Sequence, residues 1–176
     1  MVKTARSCLH FFGYLFIALA FLPLAGCENS TNAAAVGTHV ETMALKSLAG
    51  EPFTLPKKAN NPVVMNIWAT WCTPCVKELP GLIKLDKHQD VDVVAVSIDA
   101  DPAKVKEFLK ANDFTDLSVA WDENGTHVRQ QLGLKGVPTS YILNQDKVVV
   151  GVEQGERAWD HPDMRDKINA YLKAGL

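Results

Sequence analysis

Val63-Val64-Met65-Asn66-Ile67-Trp68-Ala69-Thr70-Trp71-Cys72-Thr73-Pro74-Cys75 carries the reading from which the rest of the chain follows. Its first six residues form an almost unbroken apolar run of the kind that makes a buried strand. Val76 to Leu85 then spaces its apolar residues as a helix does. Cys72 and Cys75 fall on the turn between the two, three residues apart, a spacing suited to a reversible dithiol/disulfide pair. Thiolate is the reactive species in exchange, and a free cysteine has a pKa of about 8.5. A helix N-terminus presents unpaired N–H groups and partial positive charge, both of which favour an anion. Cys72 is therefore expected to be the exposed nucleophile, and Cys75, one turn deeper, to resolve the mixed disulfide. Pro74 falls in the first turn, where its missing N–H costs nothing. Glu78 lies three residues beyond Cys75 on nearly the same face. A carboxylate there would raise the Cys75 thiol pKa and could accept its proton; the alternative is an exposed helix glutamate paired with Lys77 or Lys84.

The start of the chain bears on compartment. Lys3 and Arg6 precede a nearly uncharged apolar run, Phe11 to Ala25. That run is short of the roughly 20 residues a spanning helix needs and has the pattern of a secretory signal. Leu24-Ala25-Gly26-Cys27 resembles a bacterial lipobox, which implies lipidation of Cys27 and a mature chain beginning there. An ordinary cleaved signal or an uncleaved anchor stays open. Three parts are expected: a signal over 1–26, a lipid-anchored tether over 27–38, and a folded domain over 39–176. Removing the signal takes two of the 18 basic residues and none of the 20 acidic ones. The resulting acidic balance argues against a nucleic-acid partner. With Cys8 in the signal and Cys27 on lipid, Cys72 and Cys75 are the only cysteines left to the domain, in an oxidising compartment. As a staple, the pair would close a tiny loop and constrain the unfolded chain little.

Along the domain, Val40 to Leu45 and Pro52 to Leu55 look like a small N-terminal hairpin around Ala49-Gly50. Strands are expected at Val63 to Trp68, Val91 to Ile98, Leu117 to Trp121, Thr139 to Leu143 and Lys147 to Val150, the last two joined by a turn at Asn144-Gln145-Asp146. Helices are expected from Pro74 to about His88, from Asp101-Pro102 with Val105, Phe108 and Leu109 on one face, from Thr126 to Leu132 ending at Gly133, and from Asp160-Pro162 through Leu172. Strands alternating with helices, then a hairpin, then a helix, describe an α/β domain with a central mixed sheet flanked by helices.

Trp71-Cys72-x-Pro74-Cys75-x-x-Glu78-x-Pro80, followed some 60 residues later by Gly136-Val137-Pro138-Thr139, resembles the thioredoxin superfamily. More narrowly, it is similar to the exported ResA/TlpA-type thiol-disulfide oxidoreductases, over roughly residues 40 to 173. The resemblance implies a thioredoxin-like fold with a cis Pro138 beside the disulfide, and Val137 offering its backbone to a substrate strand. Trp71 would shape the face around Cys72. It also implies reduction of disulfides in client proteins, a membrane electron donor to restore the dithiol, no cofactor, and a monomer. Asn66 stands where thioredoxin has a buried aspartate and cannot relay protons; Glu78 would take that role. The Gly-x-x-Gly-x-Pro-Glu-Thr type segment of dedicated cytochrome c maturation reductases is absent, since Thr139 follows Pro138. Apocytochrome c, copper-site assembly proteins and oxidised envelope proteins all stay open as clients.

Other chemistries fit less well. Structural zinc wants four Cys/His ligands, and no second cysteine pair exists. Copper handling of the Sco type suits soft thiolates but uses a three-residue spacer and a distal histidine, for which His161, just before Pro162, is the only suggestion. Haem attachment needs histidine where Val76 stands. A peroxidatic threonine would lie three residues before its cysteine, whereas Thr70 lies two before Cys72. A dithiol oxidase or isomerase is the nearest alternative to a reductase.

Overall fold

The computed structural model describes residues 35–55, 61–88 and 90–175. The expected signal, Cys27 and most of the expected tether lie outside the described residues. Eleven elements follow in order: strand β1 (Lys46–Ser47), β2 (Val63–Trp68), helix α1 (Thr73–Lys87), β3 (Asp92–Ser97), α2 (Pro102–Ala111), β4 (Val119–Trp121), a 3₁₀ turn (Glu123–Gly125), α3 (Thr126–Leu132), β5 (Thr139–Leu143), β6 (Val149–Gln154) and α4 (Pro162–Ala174). The six strands form one sheet in the order β1-β4-β3-β2-β5-β6. β2, β3 and β4 run parallel, whereas β5, β6 and β1 each run antiparallel to their neighbours. This is the expected mixed sheet. β2 and β3 are buried along their whole length, which is why their sequences run apolar without alternation.

Local signals set the helix ends. The Asp101 carboxylate accepts from the Ala103 amide at 2.8 Å with Pro102 behind it, starting α2. Gly133, at φ 63°, closes α3 in the left-handed conformation that glycine adopts without a Cβ penalty. α4 starts at His161 rather than Asp160: His161 Nδ1 accepts from the Asp163 amide at 3.4 Å, while Asp160 pairs with Lys84 at 2.8 Å. Phe108 of α2 reaches the Trp68 ring, centroid to centroid 5.8 Å.

The N-terminal hairpin is much smaller than the sequence suggests. One bridge, Lys46 to Pro52, and the bonds around Gly50 make the turn, and β1 spends its pairing on β4 instead. The last residues of the expected tether are packed chain: Ala35 is buried, the Gly37 amide donates to Val149 O and the Val149 amide to Thr38 O. They lie against the start of β6, at the end of the sheet away from the cysteines, and partly cover an otherwise open edge. β6 itself starts two residues later than expected and runs on to Gln154.

Gly151 of β6 sits under Tyr171 of α4, and a Cβ there would overlap the Tyr171 ring. This contact brings α4 close to the sheet. Gly151→Ala is expected to destabilise the domain by about 1–3 kcal/mol, as overpacking does; a urea midpoint equal to wild type would contradict this packing account.

Candidate active site

Cys72 occupies the N-cap position of α1 and is joined to Cys75 in a disulfide, with a Cα–Cα distance of 5.3 Å. Its sulfur accepts from the Cys75 amide at 3.3 Å, one of the orphan donors of the helix start. Cys75 is fully buried. Cys72 is 6 % exposed, not the open nucleophile expected from the sequence. The exposed neighbour is Trp71, at 67 %. The reason is the turn: the Cys72 amide bonds back to Ala69 O, folding the sulfur inward while the indole of Trp71 remains in solvent.

That turn is braced by a residue the sequence analysis did not single out. Asp99, buried just after β3, accepts from the Thr70 amide at 3.0 Å, from Thr70 Oγ1 at 2.6 Å and from Ser97 Oγ at 2.8 Å. Three donors on one carboxylate hold the residues before Cys72 in place. Beside it, Trp71, Lys104 and Arg129 help to line a groove of about 450 Å³.

Across the sheet, the Val137–Pro138 peptide bond is cis. Pro138 is buried and Val137 half-buried. Thr139 registers against Ile67, so Pro138 lies at the same end of the sheet as the turn carrying the cysteines. The Gly155 amide donates to Pro138 O at 2.9 Å.

Glu78 is only 3 % exposed, which removes the alternative of a solvated partner to Lys77 or Lys84. It accepts from Asn66 Nδ2 at 2.6 Å, from the Arg157 amide at 3.0 Å and from Trp159 Nε1 at 3.2 Å. Burial pushes its carboxyl above the ordinary value, outweighing the lowering pull of those hydrogen bonds; Glu156 adds a smaller push upward. A cavity of about 350 Å³, lined in part by Lys77, Glu156 and Asp160, opens alongside. Asn66 also donates to Ser140 Oγ at 2.9 Å, and its Oδ1 has no partner among the described residues. Asn66 thus replaces an acidic group with a donor to one. Nothing in the sequence singles out Arg157 or Trp159 as neighbours of Glu78, beyond the identity of a tryptophan, with an N–H that needs a partner when buried.

Among the described residues no three His, Cys, Asp or Glu side chains stand together as a metal site, and no helix is long and apolar enough to cross a membrane. His161 is engaged as the cap of α4.

A mixed sheet carrying a Cys-x-x-Cys pair at a strand-to-helix turn, with a cis-proline at the same end, defines a thioredoxin-like thiol-disulfide oxidoreductase. The Redoxin family profile matches residues 35–170, and the chain belongs to that family. It is 27 % identical over 159 residues to the thiol-disulfide oxidoreductase ResA of Bacillus cereus, covering 89 % of this chain and 87 % of the relative. It is 31 % identical over 123 residues to the thioredoxin-like protein YneN of Bacillus subtilis, covering 68 % and 71 %. Among solved structures, a putative thiol:disulfide interchange protein DsbE from Chlorobium tepidum is similar with a TM-score of 0.65 and 30 % identity, over 78 % of this chain and 97 % of that one.

Proposed function

We propose that this protein is an exported, lipid-anchored disulfide reductase. The Cys72 thiolate attacks a client disulfide, displacing one client sulfur as thiolate and leaving a Cys72–client mixed disulfide. Cys75 then attacks Cys72, releasing the second client sulfur and closing the Cys72–Cys75 disulfide. Two electrons pass to the client, and a membrane electron donor returns them to the dithiol. Glu78 accepts the Cys75 proton as its sulfur becomes nucleophilic. A buried carboxyl whose pKa is raised by desolvation holds a proton more readily than an ordinary one, which suits it to that exchange. Val137 and Pro138 receive the client backbone beside the disulfide, and Trp71 covers the approach.

The observation that carries this reading is the arrangement along α1: a barely accessible sulfur at the N-cap, a fully buried partner one turn deeper, and a buried carboxyl one turn deeper again. The likeness to the ResA/TlpA-type proteins favours reduction over oxidation. Export and anchoring rest on the leader pattern and on Cys27, and cytochrome c biogenesis stays one setting among several for the client.

The test is the reduction potential of the domain, measured against glutathione or dithiothreitol buffers with Cu(I) titrated alongside. A value near that of thioredoxin, about −270 mV, is expected; one near that of DsbA, about −120 mV, would reassign the protein as an oxidase. Stoichiometric Cu(I) binding lost in His161→Ala would move it to the copper-handling class. Metabolic labelling with palmitate, lost in Cys27→Ala, is expected if the anchor is as proposed.

A further inference from the structure

Asn66, Ser140 and Glu153 are register neighbours on β2, β5 and β6, and so form one polar row across the sheet. All three are buried. Asn66 donates to both Glu78 and Ser140, whereas the hydrogen bonds of Glu153 go elsewhere and the proposed reaction gives it nothing to do. Burying a carboxylate in a sheet is costly unless it is paired and hydrogen-bonded, and Glu153 is: Arg157 Nε at 2.8 Å, Lys167 Nζ at 2.6 Å and Tyr171 OH at 2.6 Å all reach it. Arg157 is the informative partner. Its side chain is fastened to Glu153, and its backbone amide is one of the donors to Glu78. The same short loop supplies the Trp159 indole to Glu78 and, through the Gly155 amide, a bond to the carbonyl of Pro138.

We propose that Glu153 is a positioning residue: by clamping the Arg157 guanidinium it fixes the 155–159 loop so that the Arg157 amide and the Trp159 indole point at Glu78. The proposal rests on Glu78 being the proton acceptor of the reaction, but its geometry can be tested without that assumption. Lys167 and Tyr171 hold Glu153 from α4, so the clamp ties the resolving side of the site to the last helix. Burial alone would raise the Glu153 carboxyl, but the hydrogen bonds from Lys167, Tyr171 and Arg157 outweigh it and hold the group below its ordinary value, charged at neutral pH. Tyr171, half-buried and bonded to that carboxylate, is pushed up to about 12 and stays a donor. The charged groups facing Glu78 are Lys77 on its own helix and Glu156, Arg157 and Asp160 on the loop. Cutting the clamp leaves them all in place except the guanidinium.

The first variant is Arg157→Ala, which cuts the clamp at a side chain 34 % exposed and leaves the backbone donor intact. Its readouts are amide hydrogen exchange at residue 157, indole N–H exchange at Trp159, and the Glu78 titration midpoint by carboxyl NMR. Exchange at both sites is expected to quicken about tenfold, the scale of one lost hydrogen bond. The Glu78 midpoint is expected to move upward, since donors that stabilise its charged form are loosened. Arg157→Lys, which still reaches a carboxylate, should return both readouts toward wild type. Glu153→Gln should reproduce Arg157→Ala, and if it fails to fold the arginine pair decides alone. Wild-type exchange and midpoint in Arg157→Ala overturn the proposal, and so does quickened exchange with an unmoved midpoint. If Glu78→Gln leaves client reduction untouched while these shifts occur, the proton-acceptor reading fails and the clamp stands.

Discussion

Cys75→Ser is expected to turn the protein into a trap. Cys72 can still attack a client disulfide, but no sulfur one turn deeper is left to release it. A mixed disulfide through Cys72 should accumulate, visible as a mass adduct that dithiothreitol removes. Cys72→Ser should form no adduct, and its insulin-reducing turnover should fall by more than about 10³-fold, the scale of losing a covalent nucleophile. The asymmetry follows from burial: Cys75 is closed to any client, whereas Cys72 retains a small exposed area. Adduct formation through Cys75 in the Cys72→Ser variant would reverse the two roles. Reductase activity surviving in both variants would remove the pair from the chemistry altogether.

The second large effect concerns Glu78. Glu78→Gln keeps the shape and removes the proton-accepting group, so release of the mixed disulfide should slow by about 10²-fold near neutral pH. The initial attack by Cys72 should change much less, which stopped-flow measurements on a fluorescent disulfide would separate. A companion effect on stability has a definite sign. The Glu78 carboxyl is raised in the folded protein above its ordinary 4.5, so between 4.5 and the raised value the folded state holds a proton that the unfolded state has lost. Its contribution is therefore fully present below 4.5 and is lost as pH rises through the folded value, beyond which it is flat. The melting temperature of wild type minus that of Glu78→Gln should fall across that window. A difference that rises with pH would mean that hydrogen bonds from Asn66, Arg157 and Trp159 outweigh burial and hold Glu78 below its ordinary value, as a poor proton acceptor.

Local patterns were read well where they act over a few residues. The bounds of β2, α3 and β5 match the expected stretches, α1 matches within a residue or two, and α2 begins at Pro102 as expected. Each rests on a neighbouring signal: an apolar run, a capping Asp101, a left-handed Gly133. The misreadings share a different cause. β1 is two residues long because its partner is β4, more than 70 residues away, and nothing near Lys46 announces that. Ala35 to Thr38 read as tether because their composition is polar and small, yet pairing with β6 orders them. Cys72 read as exposed because a helix start normally is; the turn braced by Asp99 tucks it in.

The candidate site divides in the same way. That a dithiol sits at a strand-to-helix turn is written in 13 consecutive residues, since the spacing of two sulfurs on a helix is a property of the helix alone. What surrounds Glu78 is not so written. Its donors come from β2 and from a loop about 80 residues further on, and whether a carboxyl is buried or bathed depends on which segments close over it. The chemistry was legible in the chain because it is local covalent geometry; the environment that tunes it was decided by tertiary packing, because desolvation and hydrogen bonding depend on everything that arrives in space.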